Sequence, residues 1–507
     1  MASQGLKYRA AHDPRVAALL VFKEVLQTGA DTQAALDRQL KEAVMPPSDK
    51  ALCTELLYGV LRLHLRLNWF LRQKLPHPEK LPAEMRLLLE LAAYEIAYLR
   101  IPAHASVNFA AGFLRNRFGE RLAGVGNGVL RSFQRNLAAE YENRDFYLTR
   151  LAGSTRALSA PSPEFLAVFY SMPEWIVRLW ISSYGEEAAL RFLEAGLREP
   201  PVGVRVNPFR SGCESLLNGL KQTPGAVFIG PAALALPAGV RLAWRTLLDS
   251  GRISRQSAAA YEALMAMQPE TWEPPVWDAC AGRGGKSMAL LEQGVAVTLA
   301  GDASEVRLDG FRREFKRLFQ PAFPDAPTNS ISTSKLHPCS FDVSAAEEAR
   351  FRLASEMPCI SPRHPVADSV SQSKEARTLP PCPAVLRAKA QNARAGGAGF
   401  GSVLLDVPCS GLGTLARRPE IRWRRSPEDI KQLCAEQDEL LEAAEAGLKA
   451  GGSIIYLTCT LNPEENQRRV ECFVQRHAEF EVVKTWQTPP DSPLNEFFWA
   501  ARLRSRC

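Results

Sequence analysis

Histidine is scarce in this chain, and what is missing narrows its chemistry. Among 507 residues there are seven histidines, each isolated, and the 11 cysteines include no C-x-x-C pair. That excludes a zinc knuckle and a disulfide framework, so no metal is expected and a reducing cytoplasm is the natural compartment. No apolar run approaches the roughly 20 residues a membrane helix needs. Met1 to Asp13 lacks the apolar core of a signal peptide, so no membrane association is expected. Neither charge dominates: 62 Lys and Arg face 55 Asp and Glu, a net charge of +7. That mild excess fits a polyanionic partner without requiring one.

What is present reads as a multidomain chain, α and then α/β. Residues 12–150 carry apolar residues at helical spacing: Val16 to Phe22, then Leu52, Leu56, Leu57, Val60 and Leu61, then Leu87 to Leu91 with Tyr94 and Ile96. Asp49 is placed to cap the helix holding Leu52, and Pro82 to open the next. These residues predict an all-helical bundle over 1–150. Residues 151–270 are mixed and read as a linker and small subdomain. From 271 to 507 strands alternate with helices, the pattern of a mostly parallel sheet. Between 320 and 400 the alternation fails in a stretch rich in Pro, Ser and Ala, which reads as a largely flexible insertion.

Three motifs in the third segment carry chemistry. Asp278-Ala279-Cys280-Ala281-Gly282-Arg283-Gly284-Gly285-Lys286-Ser287 follows a strand and opens a helix. It is not a phosphate loop, because position 280 is Cys where that loop has Gly, and it is not G-x-G-x-x-G. Its small residues let the backbone approach a ligand. Asp302 ends the next strand, about 20 residues on, where an acid hydrogen-bonds ribose hydroxyls. Together they point to a nucleoside-bearing cofactor without phosphates. The other two motifs are Asp406-Val407-Pro408-Cys409-Ser410 and Thr458-Cys459-Thr460, the latter followed by Asn462-Pro463-Glu464-Glu465-Asn466. Two thiols at strand ends, one beside an acid, suit covalent chemistry on an electrophilic ring. On chemistry alone, either cysteine could attack. Beyond Cys409, Arg417, Arg418, Arg422, Arg424 and Arg425 cluster around Trp423, a composition suited to phosphates and stacked bases.

Taken together these motifs resemble the Sun/Fmu/RsmB family of RNA (cytosine-5)-methyltransferases. Asp49-Lys50-Ala51-Leu52, Leu57 to Arg62, Arg100 to Asn108 and Asn127 to Arg131 resemble that family's NusB-like domain. Glu496 to Leu503 resembles its closing strand. The first motif departs at Gly282, Arg283 and Ser287, where the family has Ala, Pro and Thr, and Thr460 stands for the usual Ser. The resemblance implies a NusB-like RNA-binding bundle and a Rossmann-like class I methyltransferase domain. It implies S-adenosyl-L-methionine held by Cys280, Ala281, Gly282, Arg283, Gly284, Gly285, Lys286, Asp302 and Asp406. A third acid is implied after the third strand, with Asp368 the candidate and Asp342 the rival. Cys459 is the implied nucleophile, Cys409 the implied aid to product release, and Asp406 the base-edge contact. Arg417, Arg418, Arg422 and Trp423 are the implied RNA contacts. The expected activity is cytosine C5 methylation of small-subunit ribosomal RNA by a monomer. A tRNA enzyme of the same superfamily and a non-catalytic RNA-binding assembly protein are the rivals.

Overall fold

The computed structural model describes residues 10–75, 77–136, 140–151, 161–320, 379–387 and 399–506. They form two compact units, 1–199 with 414–426, and 200–413 with 427–507.

The first unit is helical. Its main helices are Pro14–Thr28, Thr32–Lys41, Pro47–Arg72, Ala83–Tyr98, Ala103–Phe118, Glu120–Asn136 and Glu174–Leu197. Asp13 caps the first, accepting from Arg15 N and Val16 N, and Gly29 ends it in the left-handed conformation. Pro82 stands at the N-cap of its helix as expected. Asp49 does not cap: Pro47 already fits the first helical position, which moves the start back and leaves Asp49 in the first turn. The expected stripes are buried, including Phe22, Leu56, Leu57, Val60, Leu61, Leu88 and Leu89. A Cβ at Gly59 would lie 2.0 Å from the Tyr94 ring, so only glycine permits that helix crossing.

The second unit holds two sheets. The smaller is antiparallel, with β1 (Val202–Val206), β2 (Val227–Gly230), β3 (Ala233–Leu236) and β4 (Ile253–Arg255) in the order β2-β3-β1-β4. Val204, Val206, Leu234, Leu236 and Ile253 form its core with Leu220. The larger sheet comprises β5 (Val276–Asp278), β6 (Val297–Asp302), β7 (Ala384–Arg387), β8 (Phe400–Asp406), β9 (Leu448–Thr458), β10 (Phe480–Gln487) and β11 (Trp499–Ser505). Its order is β10-β11-β9-β8-β5-β6-β7. Strands β5 to β9 pair in parallel and β11 runs antiparallel to β9 and β10. Val403, Leu404, Leu405, Ile454, Ile455, Tyr456 and Leu457 are buried, as the central strands of a sheet covered on both faces must be.

Chain order reverses at β5: β6 and β7 extend to one side, β8 and β9 to the other. The carboxyl ends beside such a reversal are where α/β sheets bind ligands. One expectation is corrected at β7. Four residues inside the stretch read as an insertion pair in parallel with β6 and supply the sheet's edge strand. Among the described residues, no helix is long and apolar enough to cross a membrane.

Candidate active site

The carboxyl ends of β5, β6, β8 and β9 present Asp278, Asp302, Asp406 and Cys459 at one edge of the sheet. The glycine turn follows β5. Gly282 and Gly284 take φ of 56° and 86°, and a Cβ at Gly284 would press to 2.7 Å on the Phe311 ring. Glycine is therefore required at 284, and at 282 it takes the left-handed turn without strain. Ala281 N donates to Gly301 O at 2.8 Å, binding the turn to β6. Asp302 accepts from Gly282 N at 3.1 Å and Ser304 N at 2.7 Å. An acid so fixed beside backbone-exposed glycines is the donor and acceptor set that a ribose needs. Arg283 is exposed, and its side chain lies along Gly310, where an added Cβ would meet Arg283 Cγ at 3.0 Å.

The third acid has no counterpart at its expected place. Asp368 and Asp342 lie outside the described residues, and both precede β7, the strand the acid should follow. No Asp or Glu occurs between Arg387 and Asp406. Neither candidate therefore stands where the resemblance puts that acid.

The two thiols meet. Cys409 Sγ lies 3.2 Å from Cys459 Sγ and accepts from Cys459 N at 3.3 Å. Pairing of β8 with β9 brings this about, since Asp406 stands opposite Leu457 and the next residues turn together. The hydrogen bond to Cys459, then burial, pushes the Cys409 thiol well above its ordinary range. Lys286, in the first turn of helix Gly285–Glu292, forms an ion pair with Asp406. Burial acts to lower the Lys286 ammonium pKa. The charge and hydrogen bond of Asp406 outweigh it, helped by Cys459 and Asp278, and the net direction is up. Under this pair Asp278 is buried, accepting from Ser287 Oγ at 2.5 Å. Burial first, then the charge of Asp406, raises its carboxyl to about 7 against the pull of Ser287 and Lys286.

Glu465 is a site residue that the motifs alone did not single out. Fully buried, it accepts from Ser410 N and Ser410 Oγ at 2.6 Å each, Asn462 Nδ2 at 3.1 Å and Gln437 Nε2 at 3.3 Å. The signal was present in Asn462-Pro463-Glu464-Glu465-Asn466, but which glutamate turns inward depends on the turn. Asn462 caps a short 3₁₀ turn, Pro463–Glu465, and the α-helix starts only at Gln467.

The arginine loop divides. Residues 414–426 belong to the helical unit. Arg422 is only 1% exposed and donates to Arg62 O at 2.8 Å, Ser171 O at 3.1 Å and Gly196 O. A guanidinium enclosed by carbonyls cannot meet phosphate, so Arg422 is removed from the RNA contacts. Trp423 donates to Leu61 O at 2.7 Å and packs edge-on against His64. Arg418 is 46% exposed and pairs with Asp31 at 2.8 Å. Elsewhere, ligand atoms of Glu445, His477 and Glu479 lie within 4.8 Å of one another, a grouping the isolated histidines did not foretell. The imidazole contacts Glu442 at 2.9 Å and Glu479 at 3.3 Å.

A sheet of this order, with a glycine turn, an acid after the next strand and chemistry at the carboxyl ends, defines an S-adenosylmethionine-dependent methyltransferase. Family models agree along the chain. Residues 12–135 match the NusB family, 172–243 the ferredoxin-like domain of RsmF/B-like methyltransferases, and 383–496 the 16S rRNA methyltransferase RsmB/F family. Ribosomal RNA small subunit methyltransferase B of Vibrio cholerae is 28% identical over 476 residues, 92% of this chain and 91% of that one. Its namesake in Yersinia enterocolitica is 27% identical over 514 residues, 97% and 98% of the two chains. The crystal structure of PH0851 has the same fold, with a TM-score of 0.65 at 19% identity over 97% of this chain and 98% of that one. Along the chain, then, the family models stand in the order NusB, ferredoxin-like and RsmB/F methyltransferase, and the chain is similar over nearly its whole length to relatives named ribosomal RNA small subunit methyltransferase B.

Proposed function

We propose that this protein methylates cytosine C5 in small-subunit ribosomal RNA, in the cytoplasm, through a transient bond between Cys459 and C6 of the base. The observation that carries this reading is the pair of thiols 3.2 Å apart beside the Lys286–Asp406 ion pair. A non-catalytic RNA-binding protein has no use for that arrangement.

The cofactor's place is the turn Cys280 to Lys286 with Asp302 and Asp406. When bound, S-adenosylmethionine supplies an electrophilic methyl group. The chain's own residues make cytosine able to accept it. A thiolate, not a thiol, is the nucleophile. The bond to Cys459 and burial disfavour ionisation of Cys409, and Cys459, at the position the resemblance gives to the nucleophile, is the sulfur that attacks. Sulfur adds to C6, the C5=C6 double bond opens and C5 becomes nucleophilic. Asp406 faces the base edge and steadies charge on the ring. After methylation the C5 proton leaves to a base, its electron pair restores the C5=C6 double bond, and the S–C6 bond breaks. The departing Cys459 thiolate then receives the Cys409 S–H hydrogen bond. Arg417 and Arg418 are the RNA contacts retained in this reading.

The test is a pair of variants assayed with S-adenosylmethionine and a small-subunit rRNA transcript. Cys459→Ala should abolish methyl transfer while cofactor binding persists. Cys409→Ala should slow turnover and accumulate a protein–RNA adduct on denaturing gels. An adduct that survives Cys459→Ala but needs Cys409 would reverse the roles.

A further inference from the structure

We propose that Glu465 is a positioning residue for the release step: it holds Cys409 against Cys459, so that losing its acceptor oxygens traps the covalent intermediate. The inference rests on the mechanism above and adds a residue to it. Ser410 and Thr460, the residues directly after the two cysteines, join through their hydroxyls at 2.6 Å, and both reach the Glu465 carboxylate. Ser410, Thr460 and Glu465 are each buried to 1% exposure or less.

The two turns depend on this carboxylate unequally. On the Cys409 side, Ser410 gives Glu465 its backbone N–H and its hydroxyl, both at 2.6 Å. Gln437, which fixes Pro408 O at 2.8 Å, also donates to Glu465. On the Cys459 side the hydroxyl bond is longer, 3.4 Å. That turn has a second anchor in Asn466, which accepts from Thr458 Oγ1 at 2.5 Å and donates to Thr460 O at 2.9 Å. Cys459 also directly follows Thr458, the last residue of β9, whereas Val407 and Pro408 separate Cys409 from the end of β8. Around Glu465, Ser410 N, Gln437 Nε2 and Asn462 Nδ2 can only donate, while the Ser410 and Thr460 hydroxyls can also accept. A glutamine there turns its N–H₂ group toward at least one donor-only group and leaves it unmatched. The displacement falls mainly on Cys409, while Cys459 keeps its place.

Glu465→Gln in the intact chain should therefore resemble Cys409→Ala. With S-adenosylmethionine and the rRNA transcript, turnover should fall at least tenfold while a protein–RNA adduct accumulates. The adduct should disappear in Cys459→Ala/Glu465→Gln. A purely structural role would lower activity without trapping an adduct. Should Glu465→Gln fail to fold by circular dichroism, Ser410→Ala decides the matter, since it deletes one of the two short bonds and should trap a smaller adduct fraction. An adduct in Cys409→Ala with none in the folded Glu465 or Ser410 variant sinks the inference and leaves the covalent mechanism standing. Absence of a Cys459-dependent adduct from Cys409→Ala as well sinks both.

Discussion

Asp278 shows how much one carboxyl can cost when the sheet is closed over it. One of its oxygens takes the Ser287 hydroxyl, and burial outweighs both that bond and the one from the Cys280 backbone. The folded protein therefore holds its proton up to about pH 7, whereas the unfolded chain releases it near the ordinary value of 3.8. Between these values the native state binds the extra proton, so stability falls as pH rises. The stability is full below the unfolded value and is lost as pH climbs through the folded one. At about 1.4 kcal/mol for each tenfold change in proton affinity, the loss is on the order of a few kcal/mol. Asp278→Asn removes the titration. Its thermal midpoint relative to the parent should rise from about pH 4 to about pH 8. A difference that stays flat across that range would show that burial of this charge is not being penalised. The same carboxyl lies beneath the Lys286–Asp406 pair, so turnover measured over the same range reads how far its ionisation reaches the thiols.

The element that departs most from its composition is the segment Thr414–Ser426. A run of arginines beside a tryptophan reads as an RNA surface. Yet Arg422 turns inward, and burial lowers its guanidinium pKa to about 9, with Arg62 and Arg66 acting the same way. Three carbonyls depend on it, and a buried acceptor left unmatched costs about 1–3 kcal/mol. Arg422→Ala should therefore lower the unfolding midpoint of the helical unit, with little change in the salt dependence of RNA binding. Arg418→Ala should do the opposite, weakening RNA binding and flattening its salt slope by about one contact. Equal losses of stability in the two variants would refute this division. The contrast explains what could be read in advance. The glycine turn and both cysteine turns were legible because each is a local strand-to-loop step whose residues are contiguous. Arg422, Glu465 and β7 were not. A charge run does not reveal which arginine faces inward, and a four-residue edge strand is defined by its pairing with β6 rather than by any period of its own.

At the scale of the methyltransferase unit, the smaller sheet is joined to the larger one by buried charge. Arg205, on β1, pairs with Glu292 at 2.9 Å, with both side chains 3% exposed, and donates to Gly285 O at 2.6 Å. Asn207 donates to Leu318 O at 2.9 Å, and Arg317 donates to Ile253 O at 2.9 Å. The smaller sheet thus reaches the cofactor turn directly, through the first residue of the helix that carries Lys286. Burial raises the Glu292 pKa even though Arg205 opposes it, the mark of a pair whose desolvation exceeds its attraction. Breaking one side should then be far worse than replacing both. Arg205→Ala should cost about 3–5 kcal/mol in urea unfolding, because Glu292 stays buried without its partner. Arg205→Met/Glu292→Leu should recover most of that loss. The double variant still lacks the bond to Gly285 O, so calorimetry should find S-adenosylmethionine bound more weakly than by the parent even where stability returns. Recovery of both would show that the arginine serves the fold alone. Recovery of stability without affinity would place the smaller sheet among the elements that shape the cofactor site.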